Sequence, residues 1–173
     1  MICLLKLIAL ILIVLSFSLA GRYFALLEKK REETLRSILL MVSVTETQLR
    51  YARLPVGDLL GILCENKALN RLGFLKACRE LLCFGHSFSY AWKKSIEQNT
   101  ELKKLLPEAY ESLVALGGEI GATDLEGQLS RCEYHKRFFE SILTQREEKS
   151  KRSAKLFPSL GLLLGVFAAI FML

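Results

Sequence analysis

The chain has 173 residues, 51% of them hydrophobic, and a formal net charge of +6 from 24 Lys and Arg against 18 Asp and Glu. That length holds one folded domain between any flanking segments. The basic excess lies beside two apolar runs rather than on a helix interleaved with aromatics, which argues against nucleic-acid binding.

The first run, Ile2 to Ala20, is apolar apart from Lys6, Ser16 and Ser18. A helix rises about 1.5 Å per residue and the hydrocarbon core is about 30 Å thick, so the run is long enough for one crossing. Residues 1–21 therefore read as a transmembrane helix or uncleaved signal anchor. Lys6, the apolar stretch and Ser18-Leu19-Ala20 also fit a cleaved signal peptide.

Six helices are expected in the middle of the chain, residues 22–155. Leu35, Ile38, Leu39, Val42 and Leu49 share one face of a first helix that can continue from the first span. Pro55 begins a turn, and Val56, Leu59, Leu60 and Leu63 mark a second helix. Leu69, Leu72, Leu75, Leu81 and Leu82 mark a third, closing near Gly85. Ser87 or Ser89 caps a fourth, holding Ala91, Trp92 and Ile96. Pro107 opens a fifth, which Gly117-Gly118 or Gly121 ends. Thr123 or Asp124 caps the last, whose seam is Leu125, Leu129, Cys132, Phe139 and Ile142. No strand-like alternation occurs. Helices joined by short turns predict an all-α antiparallel bundle.

The second apolar run, Leu156 to Leu173, carries no charge and predicts a transmembrane helix over 156–173. Within it Gly161 and Gly165 form a small-residue notch where another span can approach. Self-association into a homo-oligomer is compatible with that notch.

Charge orients the spans. Arg22 to Arg36 holds five cations and three anions, and Arg146 to Lys155 five cations and two anions. Ser37 to Gln145 has thirteen of each. Cations beside a span mark its cytoplasmic side, so the middle domain is expected in the cytosol with both termini across the membrane. A cleaved signal would place that domain outside. Arg22, Lys29, Lys30 and Arg31 after the first span, with Lys149, Lys151, Arg152 and Lys155 before the second, form a predicted basic collar for anionic headgroups.

The cysteines (Cys3, Cys64, Cys78, Cys83, Cys132) are odd in number and make no CxxC pair, which suits a reduced compartment. Cys83-Phe-Gly-His86 could pair a thiolate with a base, but a core Cys and an incidental His explain it better. Cys132 and His135, three apart on one helical face, offer half a metal site without a recognised second half. Gly117-Gly118-Glu119-Ile120-Gly121 lacks the Lys and Ser/Thr of a phosphate loop and reads as a turn. No catalytic, cofactor or metal site is predicted.

The order and spacing of several residues resemble the stage III sporulation protein AB family of endospore-forming bacteria over nearly the full chain. These are Leu35 and Glu46 leading to Tyr51 and Pro55; Ala91-Trp92; Leu116-Gly117, Gly121, Asp124 and Gln128; and a basic segment into Leu160-Gly161 and Gly165. The resemblance implies a cytosolic antiparallel bundle like the cytoplasmic domains of the inner-membrane platform protein of type II secretion and type IV pilus machines. It implies residence in the mother-cell membrane facing the forespore, as a non-catalytic scaffold of the channel-like apparatus between the two cells. Other stage III apparatus proteins are the implied partners, among them a secretion-type ATPase. A membrane-anchored sensor or regulator is the alternative, and it would require an enclosed pocket with convergent polar groups.

Overall fold

Residues 2–52 and 54–172 are described in the computed structural model, with side chains for residues 12, 15, 16, 19–52, 54–151, 163 and 167. Among them every regular element is helical: α1 (Ile2–Thr47), α2 (Val56–Glu65), α3 (Phe74–Cys83), α4 (Phe88–Gln98), α5 (Thr100–Leu105), α6 (Pro107–Glu119) and α7 (Leu125–Met172). A π-helix, Gln48–Ala52, prolongs α1, and a 3₁₀ turn, Lys67–Leu69, follows α2. No helix among the described residues is long and apolar enough to cross a membrane. The two runs expected to span, 1–21 and 156–173, fall mostly outside the residues whose side chains are described.

The caps explain most helix boundaries. Ser87 Oγ accepts from the Tyr90 amide at 3.4 Å and starts α4. Pro107 occupies the first position of α6, where a missing N–H costs nothing. Asp124 Oδ1 accepts from the Gly127 amide at 3.1 Å and starts α7. Three boundaries differ from expectation. Leu69 and Leu72 precede α3, in the 3₁₀ turn and the loop, and are buried there all the same. The additional helix α5 is capped by Asn99, whose Oδ1 accepts from the Leu102 amide at 3.0 Å. Gly117 and Gly118 are helical residues of α6, and the turn comes at Gly121, with φ 79°.

Within α6, position 117 has to be glycine because Trp92 needs the space. The Trp92 ring lies against its Cα so closely that a Cβ there would overlap the indole. The same ring donates from Nε1 to the Leu113 carbonyl at 2.8 Å and is 1% exposed. Phe74 meets it edge-on at 5.2 Å between centroids, joining α3, α4 and α6 around one aromatic centre.

The chain divides into two compact units, residues 1–30 with 145–173, and residues 31–144. The larger unit is an up-and-down bundle. Its buried residues on α1 (Leu35, Ile38, Met41, Val42, Thr45) and on α7 (Cys132, His135, Phe139, Ile142) repeat at three- and four-residue steps. Ser89 of α4 stands against Gly118, while Trp92 reaches back to Leu113, so α4 and α6 are antiparallel. Ser112 and Glu119 of α6 meet His135, and Glu119 also meets Arg131, which sets α7 antiparallel to α6.

At one end of this unit Arg31 Nε donates to the Leu105 carbonyl at 3.0 Å and Arg71 pairs with Glu33 at 2.8 Å. At the other end lie the π-helix, the start of α2, the α3–α4 turn and the α6–α7 turn, where Val56 packs on Gly121. We call these the Arg31 end and the Tyr51 end. In the smaller unit Arg146 of α7 pairs with Glu28 of α1 at 2.9 Å. There Tyr23 and Phe24 are exposed, ring against ring at 6.1 Å.

Candidate functional site

Pro55 disfavours a helical conformation at the residue before it, so the helix that begins as α1 must end nearby. It does so in the wider π turn, Gln48–Ala52. There Leu49 is buried whereas Tyr51 projects with 81% of its surface exposed. Arg50 folds back onto Glu46 at 2.9 Å. Single π turns occur often at functional positions.

Beside this turn an open cleft of about 390 Å³ is lined by Leu49, Leu54, Pro55, Val56, Gly121, Leu125 and Gln128. Its single polar side chain is already engaged. Gln128 Oε1 accepts from the Gly121 amide at 3.0 Å, and its Nε2 donates to the Thr123 carbonyl at 2.8 Å. Gln128 thus fixes the α6–α7 turn as the cleft wall, and what faces the opening is mostly apolar. The same end carries the turn between α3 and α4, with Phe84 81% exposed and the His86 ring tilted against that of Tyr90 at 4.9 Å between centroids. Exposed aromatics at the same end as an apolar cleft are compatible with a protein-binding surface. An enclosed ligand site with convergent polar groups has a different composition.

Two other constellations have a structural use. Ser112 Oγ lies 2.7 Å from His135 Nδ1, and Glu119 Oε2 lies 2.9 Å from His135 Nε2. Sequence reading noticed only Cys132 beside His135. The available signal was the seven-residue step from Ser112 to Glu119, which puts both on one face of α6. The order hydroxyl, imidazole, carboxylate is that of a nucleophile relay. Ser112, however, sits within α6, where neighbouring backbone N–H groups are engaged in helical bonds and cannot serve a developing oxyanion. His135 is 2% exposed, and its two bonds join α7 to α6.

The buried cysteines are chemically quiet. Burial, then the charges of Glu46 and Glu119, push the Cys132 thiol up to about 11. Burial pushes Cys78 up to about 12, against a hydrogen bond to Ser95 that lowers it. Protonated thiols are weak nucleophiles and poor metal ligands. No group of three or more metal-ligating side chains stands together among the described residues. Cys83 and His86 are exposed, on either side of Gly85 with φ 87°, and the ring partner of His86 is Tyr90.

Five residues of the predicted collar have described side chains in the smaller unit. Arg22, Lys29 and Lys30 on α1 and Lys149 and Lys151 on α7 are exposed residues of the smaller unit. The Glu28–Arg146 pair ties α1 to α7 within this unit. Arg31 belongs to the larger unit and has a structural task there, satisfying the last carbonyl of α5. The side chains of Arg152 and Lys155, and the surroundings of Gly161 and Gly165, lie outside what is described.

The residues that carried the family resemblance are now placed in space. Tyr51, Pro55, Gly121, Asp124 and Gln128 surround one cleft or adjoin it, and Trp92 and Gly117 form the aromatic centre behind them. No curated protein and no solved structure matches the chain. A family model described as stage III sporulation protein AB matches residues 6–173, so the chain belongs to that family.

Proposed function

We propose that this stage III sporulation protein is a non-catalytic, membrane-anchored scaffold of the channel-like apparatus between mother cell and forespore. The bundle of residues 31–144 lies on the cytosolic side of the mother-cell membrane, and the Tyr51 end is its docking face for another apparatus protein, the secretion-type ATPase. Support for anchoring comes from the apolar runs at 1–21 and 156–173 and the cations beside them. The exposed Tyr23–Phe24 pair next to Arg22 adds to it, since aromatic rings favour the headgroup level.

The observation that carries the docking role is the asymmetry of the larger unit. Its Arg31 end is closed by polar ties, whereas its Tyr51 end combines an apolar cleft with two aromatic side chains that are each 81% exposed. A photo-crosslinking amino acid at position 51, compared with one at Lys104 of the Arg31 end, tests this in sporulating cells. Adducts to the apparatus ATPase or another stage III protein from position 51 alone are expected. Adducts from Lys104 alone would move the docking face to the other end. Labelling of a cysteine probe at position 51 by an impermeant reagent in intact cells would refute the topology.

A further inference from the structure

We propose that the smaller unit selects anionic phospholipids at the membrane surface over zwitterionic ones, through its exposed cations. This rests on the membrane anchoring proposed above and names the lipid charge that the anchored unit prefers.

The division into two units also divides the charge. Residues 1–30 and 145–173, the smaller unit, hold nine Lys and Arg against three Glu. Residues 31–144, the larger unit, hold fifteen cations and fifteen anions. The whole formal net charge of +6 therefore belongs to the unit that also contains both apolar runs. Pairing sharpens the imbalance at the surface. Glu28 and Arg146 bond to each other at 2.9 Å and leave only 28% and 16% of their side chains exposed. Arg22, Lys29, Lys30, Lys149 and Lys151 are exposed, and Glu148 is the one exposed acid of this unit among the described residues.

The neighbouring surface chooses a bilayer over a soluble polyanion. Tyr23 and Phe24 are exposed beside Arg22, and such rings favour the headgroup level. Leu12, Leu15 and Leu19, one to three turns earlier on α1, are exposed too. A soluble polyanion would leave these apolar side chains in water, whereas a bilayer covers them and meets the cations with its headgroups. The distances agree. Lys29 and Lys30 follow Arg22 by roughly 10–12 Å along α1, at about 1.5 Å per residue. The headgroup zone is about 5–8 Å deep, and the Debye length at ordinary ionic strength is about 8–10 Å. With Arg22 among the headgroups, Lys29 and Lys30 stay within reach of a negative surface. Each such cation strengthens attachment to an anionic leaflet about fivefold.

Electron spin resonance of spin-labelled lipids, in bilayers that contain the full chain, tests the inference. Phosphatidylglycerol should be immobilised at the protein about threefold more than phosphatidylcholine. In 1 M NaCl, where the Debye length is about 3 Å, that preference should vanish. Arg22→Gln, Lys29→Gln, Lys30→Gln, Lys149→Gln and Lys151→Gln combined should abolish it at low salt as well. Lys67→Gln, Lys76→Gln, Lys93→Gln, Lys94→Gln and Lys104→Gln combined, all exposed positions of the larger unit, should leave it unchanged. Emission from Trp92, the single tryptophan and a buried one, verifies that the bundle is intact in both variants. Equal immobilisation of the two lipids by the parent chain means that the cations serve insertion alone and overturns the selection. So does a preference that survives in the smaller-unit variant. Sodium phosphate that erases the preference at an ionic strength where NaCl does not would reveal a phosphate-ion site in place of a surface, which also overturns it. Immobilisation of neither lipid removes the anchoring itself.

Discussion

The two ends of the larger unit are made from similar amounts of turn and helix terminus, yet they present opposite chemistry. At the Arg31 end the loose carbonyl of Leu105 has a guanidinium, Glu33 has Arg71, and the Ser37 hydroxyl reaches the Ala68 carbonyl at 3.5 Å. At the Tyr51 end the polar groups of the α6–α7 turn are satisfied internally by Gln128, and apolar and aromatic surface is left outward. An end whose side chains bond to its own backbone has little left to offer a partner. An end that satisfies its backbone with one amide and leaves Tyr51 and Phe84 in water keeps surface whose burial a partner would stabilise.

The strongest way to break the comparison is to remove the wall both ends share. Gly117→Val would force the Trp92 ring out of its place, with an expected loss of about 3 kcal/mol and a Tm lower by roughly 10 °C. Both ends should loosen together, read as red-shifted Trp92 emission and as loss of partner cross-linking from position 51. A variant that keeps native emission and stability would mean that α4 and α6 do not close on each other as described.

Alkali should act next. The thiols of Cys78 and Cys132 are held above their ordinary value of 9.0, at about 12 and about 11, chiefly by burial. Folding therefore favours the protonated form. The stability this provides is fully present below pH 9 and is lost as pH rises from there towards 11 and 12, because the unfolded chain gives up those protons first. Denaturant unfolding followed from pH 8 to 11 should show that decline, reduced in Cys78→Ala and Cys132→Ala. An equal decline in both variants would assign it to other groups.

His135→Ala removes the link between α6 and α7, with an expected cost of about 2 kcal/mol. Because Glu119 is adjacent to the α6–α7 turn, this change should disturb the Tyr51 end more than the Arg31 end. Hydrogen exchange of the Gly121 and Leu105 amides separates the two, and equal acceleration at both would count against a local tie. Arg31→Ala, at about 1 kcal/mol, should do the reverse, speeding exchange in α5 and leaving the cleft unaffected.

The smallest stability effect is expected from Tyr51→Ala, within about 0.5 kcal/mol of the parent chain. The same substitution should nevertheless be the most damaging to recovery of the partner protein. A large stability loss there would mean that the ring packs in the bundle, and the contrast between the two ends would disappear.

Much of the architecture was legible in the residues themselves. Apolar spacing, Ser87, Pro107 and Asp124 announce helices and their starts through interactions within a turn or two of chain. The early end of α1 follows from Pro55 for the same reason. The six-residue helix α5 is too short to show periodicity, and Asn99 alone was a weak signal for its start. The glycine pair in Gly117-Gly118-Glu119-Ile120-Gly121 was misleading because glycine serves equally in a turn and in a close helix contact. Only the position of Trp92, 25 residues earlier in the sequence, decides between them.

The same division holds for the candidate site. Sequence by itself determined that this is a helical member of the stage III sporulation protein AB family, with apolar runs and cations at both flanks. Periodicity, capping and charge counts are properties of neighbouring residues. Tertiary structure alone decided that Leu49, Val56, Gly121 and Leu125 line one cleft, that Gln128 is spent on holding its wall, and that Ser112 and Glu119 clasp His135. These groups lie on different helices, and no local preference encodes which helix faces which. Burial of their apolar faces against one another fixes that choice, and with it which aromatics are left exposed.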